Sequence, residues 1–136
     1  MFKTILFPVD QSRETWEAAE VVVNLVQTYQ SKLILLSVVE EATAEEPPSS
    51  DAMKSAQKVE KLLQDAKDFF FNQGIEAGII EKAGKPAFVI CDVADETKAN
   101  LIVMGCRGLG LTDEGSHESV TNRVINLSPC PVLIVP

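Results

Sequence analysis

The sequence predicts an α/β fold: a three-layer, doubly wound open sheet of five parallel strands with helices on both faces. Three observations carry that expectation. Short apolar runs alternate with segments whose apolar residues recur at helical spacing. Most of the runs, such as Lys32 to Val39 and Leu101 to Met104, are apolar nearly throughout, as strands covered on both faces are. With 136 residues and 46% apolar content, the chain can enclose one substantial core, so residues 1–136 read as a single domain.

The first strand is read from Phe2 to Val9, stopping near Pro8, with Asp10-Gln11-Ser12 just after it. Asp10 or Ser12 can cap the next helix by accepting a backbone N–H. Trp16, Ala19, Val22, Val23 and Val26 then give one apolar helical face up to about Tyr29. Lys32 to Val39 is the second strand. Glu40 to Ser50 is acidic, with two prolines and no periodicity, so it reads as a loop too short for a domain linker. Ser50 or Asp51 starts a long helix lined by Ala56, Val59, Leu63, Ala66 and Phe70 and ended by Gly74. Phe69, Phe70 and Phe71 span roughly 200° of helix surface and cannot all face one core. One of them either reaches a neighbouring surface or is buried at the helix end.

Ile75 to Lys82 alternates in part and reads as the third strand, with Ala83-Gly84 as a turn. Pro86 suits the first turn of a helix, where it has no N–H to lose. Ala87, Ile90, Val93, Ala94 and Thr97 share that helix's inner face. The fourth strand, Leu101 to Met104, ends in Gly105, and a loop carrying Gly108, Gly110 and Gly115 follows. A short helix starts near Ser119 with Val120, Val124 and Leu127 turned inward, and Val132 to Val135 is the last strand.

The net charge of -8 argues against nucleic acid or an anionic membrane as partner, because phosphate binding needs a basic surface. No apolar run approaches about 18 residues, so no membrane-spanning helix is expected. The N-terminus already reads as a strand and lacks the pattern of a signal peptide. The three cysteines, Cys91, Cys106 and Cys130, are odd in number and lack metal-ligand spacing, which points to a reduced, cytoplasmic protein without a metal site.

Strand, glycine-bearing loop, helix and strand is an arrangement that lets backbone amides at a helix start face an anion. Ligands of such sheets sit at the carboxyl ends of strands where the strand order reverses. With the first and fourth strands adjacent there, Asp10 and the Gly105 loop face one crevice. Asp10 is then either an acceptor for a ligand's polar edge or a helix cap. Gly105 and Gly108 let a phosphate approach the backbone, or serve a tight turn. Ser119 donates to phosphate or caps its helix; Arg107 pairs with phosphate or is solvated. His117 lacks a Cys or Ser partner and reads as a loop residue, and no catalytic set is visible. Cys106 lies in the ligand loop, where a redox role is the alternative to none; packing explains Cys91 and Cys130.

Along its whole length the chain resembles the universal stress proteins of the UspA type. The matching pieces are ILFPVD at Ile5 to Asp10, LILLSVVE at Leu33 to Glu40, AGKPA at Ala83 to Ala87 and ANLIVMGCRG at Ala99 to Gly108. SVTNRVINLSPCPVLIVP, from Ser119 to Pro136, completes the set. The resemblance implies the strand order 3-2-1-4-5 and a homodimer formed through the last strand, Pro131 to Val135. One branch of that family binds ATP through Gly, two residues, Gly, nine residues, then Gly followed by Ser or Thr. By resemblance, Pro8, Val9, Asp10 and Val38 contact the adenosine part, flanked by Met104 and Gly105. Arg107, Gly108, Ser119 and Val120 lie near the phosphates.

Two positions depart from that pattern. Gln11 stands where many members have glycine, and Glu118 stands where the pattern requires it. A like charge at ~4 Å costs about 1 kcal/mol in water and about 4 kcal/mol at an effective dielectric of 20. A carboxylate also suits a helix N-terminus, so Glu118 can occupy the anion site itself. Reading Gly115-Ser116 as the missing pair shortens the spacer by three and breaks the alignment of the helix that follows. A receiver domain is excluded: strand one offers only Asp10, and strand five has no Lys. A flavin site lacks its Ser/Thr-rich phosphate loop. The expectation is a dimeric stress-response protein with an impaired ATP phosphate site, acting mainly through an unidentified protein partner. The alternative is an ATP- or AMP-binding member, with Mg only if ATP is bound and little or no hydrolysis, since neither a Walker-type loop nor a positioned base is present.

Overall fold

The computed structural model describes residues 1–10, 13–39, 50–105 and 120–136, with the backbone alone for 50–56. The elements run β1 (Thr4–Pro8), α1 (Arg13–Tyr29), β2 (Lys32–Val39), α2 (Ser50–Asn72), β3 (Ala77–Ala83), α3 (Pro86–Thr97), β4 (Leu101–Gly105), α4 (Val120–Leu127) and β5 (Val132–Val135). The strands form one parallel sheet in the order β3-β2-β1-β4-β5.

Successive strand residues point to opposite faces, and this period of two sorts the core into two halves. Ile5, Phe7, Leu33, Leu35, Leu101 and Val103 pack with Ala18 and Val22 of α1 and with Leu63, Ala66 and Phe70 of α2. Leu6, Ile34, Leu36, Ile102 and Met104 pack with Ala87, Ile90, Val93 and Ala94 of α3 and with Val124 of α4. The chain steps from β1 to β3 in one direction and from β3 to β5 in the other. With crossovers of one hand, that reversal sends the two helix pairs to opposite faces.

Three helices end in the same way. Past α2, Gly74 takes a left-handed φ of 80°, the Ile75 N–H donates to the Phe70 carbonyl at 2.9 Å, and the Gly74 N–H donates to that of Phe71 at 2.9 Å. Ile75 and Phe70 are both buried, which adds the apolar contact of the Schellman motif. Gln30 and Lys98 play the glycine's part after α1 and α3, with φ of 52° and 56°.

The structure corrects the sequence reading in three places. The first strand is shorter than Phe2 to Val9, because Phe2 instead packs edge-on against Tyr29 with ring centroids 5.2 Å apart. The third strand starts at Ala77, since the N–H of Ile75 is used by the motif that closes α2. Only Ala77 of that strand is buried, as befits a sheet edge. Leu127 is 49% exposed rather than turned inward; the inner face of α4 is Thr121 and Val124. At the last residue of an eight-residue helix, Leu127 instead borders a concavity of about 470 Å³ with Lys85, Phe88, Arg123 and Asn126. Among the consecutive phenylalanines, Phe70 is fully buried, Phe69 packs against Trp16 at 5.7 Å, and Phe71 is 66% exposed.

Candidate functional site

The sheet order reverses between β1 and β4, and both strands direct their carboxyl ends to the same edge of the sheet. That is where an open α/β sheet leaves a crevice. Asp10 stands two residues past β1 and Gly105 closes β4, with the strands in register at Ile5↔Leu101 and Leu6↔Ile102.

Asp10 is held at both its ends by Thr15, in the first turn of α1. The Thr15 hydroxyl donates to Asp10 Oδ1 at 2.7 Å and accepts from the Asp10 backbone N–H at 3.1 Å. Thr15 itself is buried, which is unusual for a hydroxyl residue near a helix start.

Gly105 has no left-handed φ, so a turn conformation does not require glycine there. Close packing does. A Cβ at this position would sit 3.0 Å from Glu14 Cβ and 3.3 Å from the Glu14 carbonyl oxygen. The first turn of α1 thus presses directly on the end of β4. On the other side, the buried Thr121 donates its hydroxyl to the Gly105 carbonyl at 3.3 Å, tying the start of α4 to the same point. Thr15 and Thr121 were not among the candidate residues. The available signal was a short polar β-branched residue in the first turn of each helix, where such hydroxyls commonly make local bonds.

The remaining candidates divide. Val9 and Met104 are core residues, 5% and 3% exposed, and the Val9 N–H already donates to the Leu36 carbonyl at 2.8 Å. Contact from their side chains to a ligand would mean unpacking the core, so any role they have runs through the main chain. Pro8, Val38 and Val120 are partly buried, Val38 and Val120 being packed against the α3–α4 half of the core. Arg107, Gly108 and Ser119 lie outside the described residues, as do Gln11, Ser12, Cys106, His117 and Glu118.

Burial pushes the Cys91 thiol pKa up, with Asp92 and Cys130 adding to the shift. Burial raises that of Cys130 as well, partly opposed by its hydrogen bond with Ser128. Both therefore remain neutral thiols, in keeping with packing. Among the described residues no cluster of three or more His, Cys, Asp or Glu is placed to hold a metal ion, and no helix is long and apolar enough to cross a membrane.

The universal stress protein family model matches residues 1–136. The chain belongs to that family. It is 60% identical to universal stress protein Sll1654 of Synechocystis sp., over all of this chain and 87% of that protein. Among solved structures, universal stress protein UspA from Lactobacillus plantarum superposes with a TM-score of 0.87 at 25% identity, covering 99% of this chain and 98% of that one. A universal stress protein solved in complex with cAMP superposes with a TM-score of 0.79, covering 99% and 97% of the two chains; at 24% identity this is a likeness of fold.

Proposed function

We propose that this universal stress protein holds the adenosine end of a nucleotide in the crevice between β1 and β4 and favours AMP-like ligands over ATP. In this reading it acts in the stress response through contacts with other proteins, as a cytoplasmic homodimer, and not as a catalyst. The observation that carries the reading is the Asp10 carboxylate, bonded by Thr15 two residues past the end of β1, at the sheet's switch point between β1 and β4. A carboxylate there is an acceptor for the hydroxyl and amine donors of an adenosine. The cAMP held by the structural neighbour is a ligand of the same class, an adenine nucleotide with one phosphate.

The preference against ATP rests on Glu118 in place of the pattern's glycine. A longer phosphate tail brings more negative charge toward that carboxylate, and the penalty grows with each close approach. Dimer formation rests on β5, the outer strand of the sheet, whose Leu133 is 37% exposed. An apolar edge of this kind is readily paired by a second copy.

Melting temperature with millimolar AMP, ATP, and ATP with Mg²⁺ tests the reading, because a ligand that binds the folded state alone raises it. AMP is expected to raise it by several degrees and ATP by much less, while Glu118→Gly gains a response to ATP. An ATP shift in the unaltered protein as large as that with AMP overturns the preference. No shift with AMP overturns the nucleotide reading itself.

A further inference from the structure

We propose that the groove between α1 and α2 is a binding site for a small aromatic carboxylate, with its ring against Trp16 and its anionic end held by Lys58 and Lys61. The groove has a volume of about 350 Å³ and is lined by Trp16 of α1 and by Lys58, Lys61, Leu62 and Asp65 of α2. Pockets that hold small ligands run from roughly 300 to 1,000 Å³. None of these five residues belongs to the crevice at β1 and β4, so the proposal stands apart from the nucleotide reading.

Helical spacing builds the site. Residues 58, 61, 62 and 65 recur at intervals of three and four, so α2 presents them as one stripe. Leu62 is buried and gives that stripe an apolar floor. Trp16 is partly buried against the same core and meets Phe69 edge-on at 5.7 Å, which seats the indole. An indole is a planar apolar surface that a second ring covers by offset stacking or edge-on contact.

The two lysines supply the charge. Both are exposed, and among the described residues the ion pair is Lys82–Glu96, in which neither takes part. Asp65 follows Lys61 by four residues, the weaker order for an ion pair along a helix. The lining thus carries two cations against one carboxylate, in a chain whose net charge is -8. A lysine ammonium rides on a flexible stem, so each can close over an anion lying in the groove that its own side chain lines. A rigid ring has little conformational freedom to lose on binding, which favours an aromatic acid over a flexible fatty one.

The probe is 2-naphthoate, followed in the full chain at the indole N–H resonance of Trp16, the one tryptophan of the sequence. A saturable shift is expected, with a Kd near or below about 1 mM, the scale for a ligand of this size. 2-Naphthol, which keeps the ring without the charge, and octanoate, which keeps the charge on a flexible chain, are each expected to bind more weakly by roughly fivefold. Lys58→Gln and Lys61→Gln should each weaken 2-naphthoate by roughly two- to fivefold, the range of an exposed ion pair. Asp65→Asn should strengthen it by up to about threefold. All three positions are exposed, and surface substitutions of this kind leave the fold intact. No saturable shift up to about 5 mM overturns the proposal. So does 2-naphthol or octanoate binding as tightly as 2-naphthoate, or an unchanged Kd when both lysines are replaced.

Discussion

The two faces of the sheet are built differently. On the face of α1 and α2, helices of 17 and 23 residues cover the strands, and aromatic rings fill the space between. Phe7 meets Phe70 edge-on at 6.1 Å, Phe70 meets Phe69 at 5.2 Å, and Phe69 meets Trp16 at 5.7 Å. On the face of α3 and α4, helices of 12 and 8 residues cover an aliphatic core, and Phe88, Ile125 and Leu127 are left about half exposed. A large ring buries more apolar area than an aliphatic side chain, and edge-to-face pairs add about 0.5–1.5 kcal/mol each. The first face thus carries more of the stability per residue. The second, less completely covered, contributes to the crevice through Thr121, at the start of α4.

The sharpest way to break this contrast is to truncate one large residue on each face. Phe70→Ala should cost about 3–5 kcal/mol, and Ile90→Ala about 2–3 kcal/mol, measured by denaturant unfolding. Equal losses would show that the ring network contributes less than its buried area implies. A smaller effect comes from wedging the first face off the sheet at its end. Gly105→Ala places a methyl 3.0 Å from Glu14 Cβ, with backbone of the same residue just behind it, so α1 must shift. An expected cost of about 1–3 kcal/mol follows. An alanine variant of unchanged stability would mean that the contact is soft.

The smallest effect is confined to the second face and depends on pH. Cys91 and Cys130 have thiol pKa values raised in the folded state, chiefly by burial. The unfolded chain then releases these protons at a lower pH than the folded one. Their contribution to stability is fully present below the ordinary thiol range and declines as pH rises above about 8.5. Melting curves from pH 7.5 to 10 should show this fall in the unaltered protein and less of it in Cys91→Ala. A Cys91→Ala profile parallel to that of the unaltered protein would remove the thiol from the account.

Much of the architecture was legible because it is written in local periodicity. Lys32 to Val39 is a strand residue for residue, since nothing in it alternates and turn residues bound it. Ala87, Ile90, Val93 and Ala94 line α3 as their spacing requires. Leu127 was misread for the same reason: helical spacing continues to the end of α4, but spacing says nothing about whether a neighbour reaches that far. At the candidate site, Asp10 and Gly105 were legible from their places after strands. Thr15 was not, because a threonine in a first helical turn looks the same whether or not its hydroxyl meets an aspartate five residues earlier.

By itself the sequence determined which segments are strands and which are helices, the division of the core between two faces, and membership of the universal stress protein family. Each of these follows from periods of two and 3.6 residues or from motifs read in order. The tertiary structure alone decided why residue 105 is glycine, what holds Asp10, and which apolar residues of the short helices remain uncovered. Those depend on close approach between segments distant in the chain, such as Glu14 against Gly105, where an added Cβ would stand 3.0 Å from Glu14 Cβ, and such an approach leaves no trace in the spacing of either segment.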